Sequence, residues 1–362
     1  MGRKPNTILQ SEVVELISLL KKKGSVPIEN LADCKLLSNN IFVVTGKYIS
    51  ESTIKRFFGF HQSKFQPASE TVKILKEYIS IDIYKLSNNN VSVDFILDFF
   101  NPRHFENIEK SDKSFQAASR SIALSLKKNP VLFEKVMEPI AKSKFGRAFY
   151  YELFPDYDCL AEFQYKGYEK YLEYEKSYEG KIFANCILFL KYLFENNLVM
   201  MKSQWTIILK LYKKDKPLHP FVLGRYFQIQ LISNVHFNSS EVSKIKKEIF
   251  SIEKKMPRNE SGLFMEFPGF HYFVCDGLWH IKAYEDLLEL SKIALTDFKK
   301  HNEFIWKGYY DQLYLYQGLA LMNLGRKSAA KKLMSQIKPE RFYFPTKKYF
   351  ETLYSEFTKS LD

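Results

Sequence analysis

The sequence predicts an all-α protein, and three observations favour this class. Apolar residues recur at intervals of three and four along most of the chain, which is the period of one buried helix face. Gly and Pro number only 14 and 13 among 362 residues, against an average of roughly 12% for the two together. No segment of any length alternates with the two-residue period of a strand. We therefore expect a small N-terminal helical domain followed by a longer array of antiparallel helical hairpins.

Two amphipathic helices are expected before residue 46. The first covers Thr7 to Lys22 and ends at Lys23-Gly24. Its apolar face consists of Ile8, Val13, Leu16, Ile17 and Leu20. The second covers Asn30 to Thr45, and Gly46 ends it. Its apolar face consists of Leu31, Cys34, Leu37, Ile41 and Val44.

Two further helices complete a set of four in about 80 residues. Ser50 can cap the third helix, and Gly59 can terminate it. Its first turn exposes Glu51, Ser52 and Thr53, and its buried side consists of Ile54, Phe57 and Phe58. The fourth follows Pro67 and covers Ser69 to Ile79, with Ser69 as the expected cap. Its inward face consists of Val72, Leu75, Tyr78 and Ile79.

Residues 31 to 79 contain four short motifs: Leu36-Leu37-Ser38, Thr45-Gly46, Ile49-Ser50-Glu51-Ser52-Thr53-Ile54-Lys55-Arg56 and Pro67-x-x-x-Thr71-Val72-x-x-Leu75. With these motifs the segment resembles the lambda-repressor-like (Xre-type) helix-turn-helix family, although the turn from Gly46 to Ser50 is longer than is usual there. The resemblance covers under a sixth of the chain. It implies a first helix that braces across the DNA backbone and a second helix that enters the major groove.

The charge distribution favours the same partner, double-stranded DNA. The chain carries a formal net charge of +13, with a pI near 9.2. From Lys35 to Lys76, seven lysines and arginines face two acids, so 42 residues carry +5 and the other 320 share +8. A phosphate-facing surface requires such a local excess.

The third helix and its surroundings supply the candidate site. Base edges in the groove are expected to meet Ser52, Thr53 and Arg56, with Lys55 nearer the sugar-phosphate wall. The full set of expected DNA-binding residues is Ser50, Ser52, Thr53, Lys55, Arg56, Lys47, Lys64, Ser69 and Lys73. Second-rank candidates for DNA binding lie in the following loop and are His61, Gln62 and Gln66. The alternative for Arg56 is an ion pair with Glu51 or Glu70 on a solvated face.

A polar run at residues 87–90 and a break at 101–103 indicate a domain boundary. The expected domains are 1–85, a helix-turn-helix domain; 86–112, a linker or connecting helix; and 113–362, a helical repeat domain. The helices expected in the last are 114–128, 130–144, 145–153, 158–176, 178–196, 200–214, 218–235, 240–255, 268–281, 283–299, 304–323, 326–337 and 345–359.

A repeat signature lies near the end of the chain, in Tyr314-x-x-x-Gly318-x-x-Leu321-x-x-x-Gly325-x-x-x-x-Ala330-x-x-x-Met334. Its small residues would let two antiparallel helices approach closely, and the spacing resembles the tetratricopeptide repeat. Looser echoes lie at 165–168 and 180–184. Together they favour a degenerate tetratricopeptide-like α-solenoid, whose groove would suit a peptide or protein ligand.

The sequence contains no local motif for catalysis, phosphate cradling or dinucleotide binding, so we expect no enzyme, no catalytic residue, no cofactor and no metal. The four cysteines are too far apart for a zinc or redox motif, and we expect buried, reduced thiols. His271 and His280 flank the one polar-aromatic cluster, and we interpret them as satisfied, partly buried histidines. An apolar export segment and a membrane span are not found, which predicts a cytoplasmic protein with no membrane partner.

Two functional hypotheses follow. The first is a DNA-binding transcriptional regulator whose helical repeats sense or recruit a partner, a layout similar to that of bacterial peptide-sensing regulators; a homodimer would then place half-sites about one helical turn apart. The second is a non-catalytic protein-interaction scaffold that does not bind DNA.

Overall fold

A computed structural model describes residues 10–23, 31, 33–35, 37–38, 41, 47–60, 67–80, 93–101, 113–213, 216, 218–237, 239–256, 269–298, 304–342 and 344–361. Regular secondary structure in these residues is helical, with no strand among them, so the all-α prediction is confirmed. No helix in the same part of the chain is long and apolar enough to cross a membrane. The chain divides into two compact units.

Unit 1 comprises Met1–Phe99 and Asn107–Leu132. Its helices are α1 (Gln10–Lys23), α2 (Glu51–Phe57), α3 (Ser69–Ser80), α4 (Val93–Phe99) and α5 (Lys113–Lys128), and residues 31, 33–35, 37, 38 and 41 are also helical. The core joins α1, α2, α3 and the helical residues between 31 and 41. It consists of Leu16, Leu20, Cys34, Leu37, Ile41, Ile49, Ile54, Phe57, Val72, Ile74, Leu75 and Tyr78.

Most of the expected apolar faces of unit 1 therefore lie in its core. Leu31 is the exception: it was expected in the apolar face of its helix but is 48% exposed. Cys34, one turn further along, is fully buried. Ile8 and Val44 lie outside the described residues.

Unit 2 comprises Phe100–Glu106 and Phe133–Asp362. Its helices are α6 (Pro130–Lys142, whose first turn contains the boundary), α7 (Tyr165–Tyr174), α8 (Tyr178–Phe194), α9 (Leu198–Leu211), α10 (Pro220–Phe237), α11 (Val242–Lys255), α12 (Gly269–His280), α13 (Tyr284–Phe298), α14 (Phe304–Asn323), α15 (Lys327–Met334) and α16 (Lys347–Leu361). Most helix ends lie within three residues of the expected ones. Two expected α-helical stretches are instead π-helical, Arg147–Tyr151 and Leu160–Gln164.

Helices of unit 2 pack in two alternating sets. One set, which we call the inner row, consists of α8, α10, α12 and α14, each packed on the next, with α16 packed on α14. The other set consists of α9, α11, α13 and α15, each packed against one or both of the inner-row helices next to it in the chain. The inner-row helices are buried on nearly all sides; α10 alone buries twelve residues between Phe221 and Asn234. Apolar contact between successive inner helices is thus the core of the unit.

Close helix contact at the core depends on glycine. A Cβ on Gly224 in α10 would lie 2.4 Å from the Cα of Phe270 in α12, so only glycine permits this approach. Gly318 plays a comparable part in α14, where a Cβ would lie 2.9 Å from the ring of Phe357 in α16. The expected packing role of Gly325 is wrong: it has φ +75 and no atom within 4 Å of an added Cβ. It ends α14 in the left-handed conformation.

Candidate functional site

Helix α2 begins as its sequence predicts. Ser50 is extended, with φ −62 and ψ 147, and its Oγ accepts a hydrogen bond from the backbone N–H of Thr53 at 3.2 Å. The hydroxyls of Ser50 and Thr53 lie 2.8 Å apart, so the two side chains bond to each other as well. At the other end Gly59 has φ +76, which few other residues adopt. The cap and the glycine together define a helix of seven residues.

The two sides of α2 differ sharply in exposure. Ile54 and Phe57 are 0% and 3% exposed and attach the helix to the core of unit 1. Ser52 and Arg56, one turn apart, are exposed on the opposite side. A serine and an arginine on one outward face can donate to base edges or phosphates.

The approach to α2 is fixed by a buried hydrogen bond. Ser38 is helical and 1% exposed, and its hydroxyl donates to the carbonyl oxygen of Ile49, which is 3% exposed. This bond connects the helical residues between 31 and 41 to the residue just before the cap. It satisfies a buried carbonyl that would otherwise cost about 1 to 3 kcal/mol.

The two cations of α2 are held differently. Lys55 Nζ lies 2.5 Å from Glu51 Oε1 one turn earlier, so Glu51 offsets the charge of Lys55. Arg56 Nε donates to the carbonyl oxygen of Ser52 at 3.2 Å, on the exposed surface. This bond holds the guanidinium over the face that carries Ser52. Arg56 is also the more exposed of the two side chains.

The remaining expected site residues are distributed as follows. Ser69 and Lys73 are exposed, one turn apart on α3, and Lys47 is half-buried. The expected cap role of Ser69 is wrong: Ser69 is the first helical residue, and the N–H of Val72 donates to the carbonyl of Ala68. Ala68, which has no side-chain acceptor, occupies the cap position. Lys64, His61, Gln62 and Gln66 lie outside the described residues.

Tyr48 was not among the expected site residues, and it is 65% exposed two residues before the cap. An exposed tyrosine offers apolar area and a hydroxyl at low entropic cost. The local signal was its position in the sequence between Lys47 and the apolar Ile49.

Unit 2 contains a second polar constellation, buried in its inner row. Arg225 of α10 is 1% exposed, and its Nη1 donates to Gln228 Oε1 at 2.7 Å and to the hydroxyl of Tyr157. Gln228 in turn donates to Asp276 of α12, and Asp276 accepts a further bond from the hydroxyl of Tyr316 on α14. The network thus joins three inner helices. Arg225 also lies 3.6 Å above the ring of Phe273.

This network fits a structural role. The buried guanidinium and the carboxyl group of Asp276 each bond to the side chain of Gln228, so the network links α10 to α12. His280 Nε2 lies 3.8 Å from Asp276 Oδ2, and His271 Nε2 lies 3.2 Å from Glu253 Oε1. Each histidine thus lies near an acidic side chain. The side chain of His280 is partly buried, as expected, but His271 is fully buried.

Burial limits the reactivity of the cysteine thiols. All four cysteines are free and buried, as expected. Burial raises the pKa of the Cys34 thiol to about 11 and that of Cys186 to about 12. At neutral pH these thiols are protonated and poor nucleophiles. In the residues that the structure describes, no group of three or more His, Cys, Asp or Glu side chains could hold a metal ion.

Comparison with known proteins adds no relative: no family model, no curated protein and no solved structure matches the chain. Function therefore has to be judged from the geometry of α2 and from the packing of unit 2.

Proposed function

We propose that the protein is a DNA-binding transcriptional regulator. Unit 1 would carry an Xre-type helix-turn-helix, with α2 in the major groove. The observation that carries the proposal is the exposed pair Ser52 and Arg56 on a helix that Ser50 caps and that Ile54 and Phe57 attach to the core. A groove-reading helix needs one side fixed and one side polar and outward.

The surroundings of α2 support the same partner. Ser69 and Lys73 on α3 are exposed and would contact phosphates, and the segment from Lys35 to Lys76 has a net charge of +5. Arg56 would donate to a guanine edge, because its side chain is exposed on the same outward face as Ser52. Lys55, paired with Glu51, would contribute less than the sequence alone suggests.

In this proposal unit 2 is a tetratricopeptide-like α-solenoid that binds a peptide or protein. Support comes from its alternating packing, in which each inner helix contacts the next and the other helices pair with it as hairpins. The hairpin of α14 and α15 turns at Gly325, and Ala330 of α15 is fully buried. These are the small residues whose spacing resembles the repeat.

The test is selection of binding sites from a randomised duplex library with the full-length protein, followed by a salt titration of the selected duplex. Arg56→Ala should weaken binding to that duplex by about 1 to 3 kcal/mol and relax specificity at one base pair. Arg326→Ala removes the same charge from an exposed residue of unit 2 and serves as the matched control. Circular dichroism should show unchanged helix content in both variants.

The alternative, an interaction scaffold that does not bind DNA, predicts another result. No duplex would then be selected, or the residual binding would be weak, steeply salt-dependent and equally sensitive to Arg56→Ala and Arg326→Ala. Either outcome would overturn the DNA-binding proposal.

A further inference from the structure

Helix α9 carries an unusual outer surface. Among the large apolar side chains that are exposed in the described part of the chain, five belong to this one helix of 14 residues. They are Leu198 (53% exposed), Val199 (79%), Met200 (38%), Ile207 (42%) and Leu209 (49%). We call them, with Lys202, Thr206 and Lys210, the α9 surface.

The core does not account for these side chains. The inward side of α9 is already complete, because Met201, Gln204 and Ile208 are buried at helical spacing. Gln204 donates to Asn185 of α8, and the ring centroid of Trp205 lies 6.1 Å from that of Tyr226 on α10. The five exposed side chains point away from this attachment, and between 38% and 79% of each remains in contact with solvent.

The polar residues of the α9 surface are interleaved with the apolar ones. Lys202, Thr206 and Lys210 follow at intervals of four and form one row on the helix. Leu198, four residues before Lys202, begins this row. By helical position, Leu209 lies on one side of the row, and Val199, Met200 and Ile207 lie on the other. An occupant must therefore cover apolar area on both sides of two positive charges about 12 Å apart along the axis.

The charge of this segment selects the kind of partner. Residues 196–214 contain four lysines and no acidic residue. A second copy would bring the same lysines against each other in a two-fold contact. A bilayer would have to accept Lys202 and Lys210 in the middle of the inserted face, where charge is most costly. An acidic helix satisfies both features, because its carboxylates pair with the lysines and its apolar side chains cover the flanks.

We propose that the α9 surface binds an acidic amphipathic helix of a partner protein. The helix would present two carboxylates about two turns apart, flanked on both sides by leucine-like residues. This surface belongs to unit 2, and its occupant is independent of DNA binding by α2.

The probe is a labelled peptide of about 20 residues, long enough to span roughly 30 Å as a helix, with leucine and glutamate on one face. A matched peptide carries lysine in place of every glutamate. Fluorescence anisotropy with the full-length protein should show binding of the glutamate peptide and none of the lysine peptide. The double variants Lys202→Glu/Lys210→Glu and Val199→Ser/Ile207→Ser should each weaken glutamate-peptide binding at least tenfold. The first should also gain binding of the lysine peptide.

Val131→Ser, at a valine that is 65% exposed elsewhere, is the control and should bind like the wild type. All substituted side chains are exposed, so circular dichroism should show a retained fold. Equal binding of both peptides, or binding unaffected by either double variant, would refute the proposal. Sedimentation tests the other occupants: self-association or binding to phosphatidylglycerol vesicles that is lost in Val199→Ser/Ile207→Ser, without peptide binding, would assign the surface to a second copy or a membrane.

Discussion

Raising the pH from about 5 to about 8 should destabilise unit 2 through the carboxyl group of Glu152. Glu152 directly follows the first π-helical stretch, is 7% exposed, and accepts a hydrogen bond from the Tyr171 hydroxyl at 2.5 Å. Burial raises the pKa of Glu152 from its ordinary 4.5 to about 8, and the charge of Glu175 adds to this increase. The Tyr171 bond and Arg147 act in the opposite direction but are outweighed.

The sign follows from proton binding. Between the unfolded and folded pKa values, the folded chain holds a proton on Glu152 that the unfolded chain has released. Stability from this group is therefore fully present below pH 4.5 and is lost as the pH rises through about 8. One pKa unit corresponds to about 1.4 kcal/mol. The difference between the unfolded pKa of 4.5 and the folded pKa of about 8 thus lowers the free energy of unfolding by on the order of 5 kcal/mol above both values. This loss is comparable to the total stability of a small domain.

Glu152→Gln isolates this contribution, because glutamine resembles the protonated acid and does not ionise. All three tryptophans belong to unit 2, so their fluorescence during urea unfolding reports this unit. We expect the two proteins to be similar near pH 5 and the glutamine variant to be more stable by several kcal/mol near pH 8. Glu162→Gln, at an exposed residue of the second π-helical stretch, is the control. A stability difference between wild type and Glu152→Gln that stays constant across this range would refute the reasoning.

Three further predictions concern stability. Ser50→Ala removes the cap of α2 and should cost about 1 kcal/mol, seen as roughly fivefold faster amide hydrogen exchange in α2. Gly224→Ala forces a Cβ towards the backbone of Phe270 and should lower the stability of unit 2 by about 1 to 3 kcal/mol in urea unfolding. The Asp311 carboxylate is 1% exposed, and both of its oxygens accept hydrogen bonds from Arg341 at 2.8 Å. Arg341→Ala removes this main partner. It should cost about 3 kcal/mol in the same assay, and Arg341→Lys should restore part of the loss.

Much of the fold is predictable from local sequence. Helix α2 is an example: its start depends on a serine that bonds three residues ahead, and its end on a glycine with positive φ. Both effects depend on nearby residues only, so the local sequence is enough to predict where the helix begins and ends. The helices of unit 2 are likewise predicted within a few residues, because each needs a continuous apolar stripe or a buried surface all round.

Features that depend on distant contacts were not predictable. Gly318 and Gly325 look alike in the repeat signature, but one makes room for Phe357, 39 positions away, and the other only turns the chain. The π-helical bond from the N–H of Glu152 to the carbonyl of Arg147 is one residue wider than an α-helical bond, and apolar periodicity is too coarse to show it. Arg225 and Asp276 are linked through Gln228 across two helices, so no local motif marks them.

The α9 surface escaped prediction for a different reason. A sequence pattern counts apolar residues as core, whereas α9 has more of them than one buried stripe can hold: Met201 and Ile208 fill the stripe, and Val199 and Ile207 remain outside. The available signal in the sequence was that lysines alternate with the outer apolar residues of α9. A solvated helix face would instead carry acids and lysines in pairs. The buried and the exposed apolar residues of α9 can be told apart only once the structure shows which side of the helix is buried.

Salt should distinguish the two proposed surfaces, although both would bind an anionic partner. DNA binding by α2 and its neighbours would release counterions from several phosphates, and with six to ten contacts the affinity would fall by roughly 10³ to 10⁵ between 50 and 200 mM salt. Exposed lysine–carboxylate pairs such as those proposed for Lys202 and Lys210 are worth only about 0 to 1 kcal/mol each. Apolar burial beside them does not depend on charge screening. Peptide binding to α9 should therefore persist at a salt concentration that dissociates the DNA, and the two activities can be measured separately on one full-length protein.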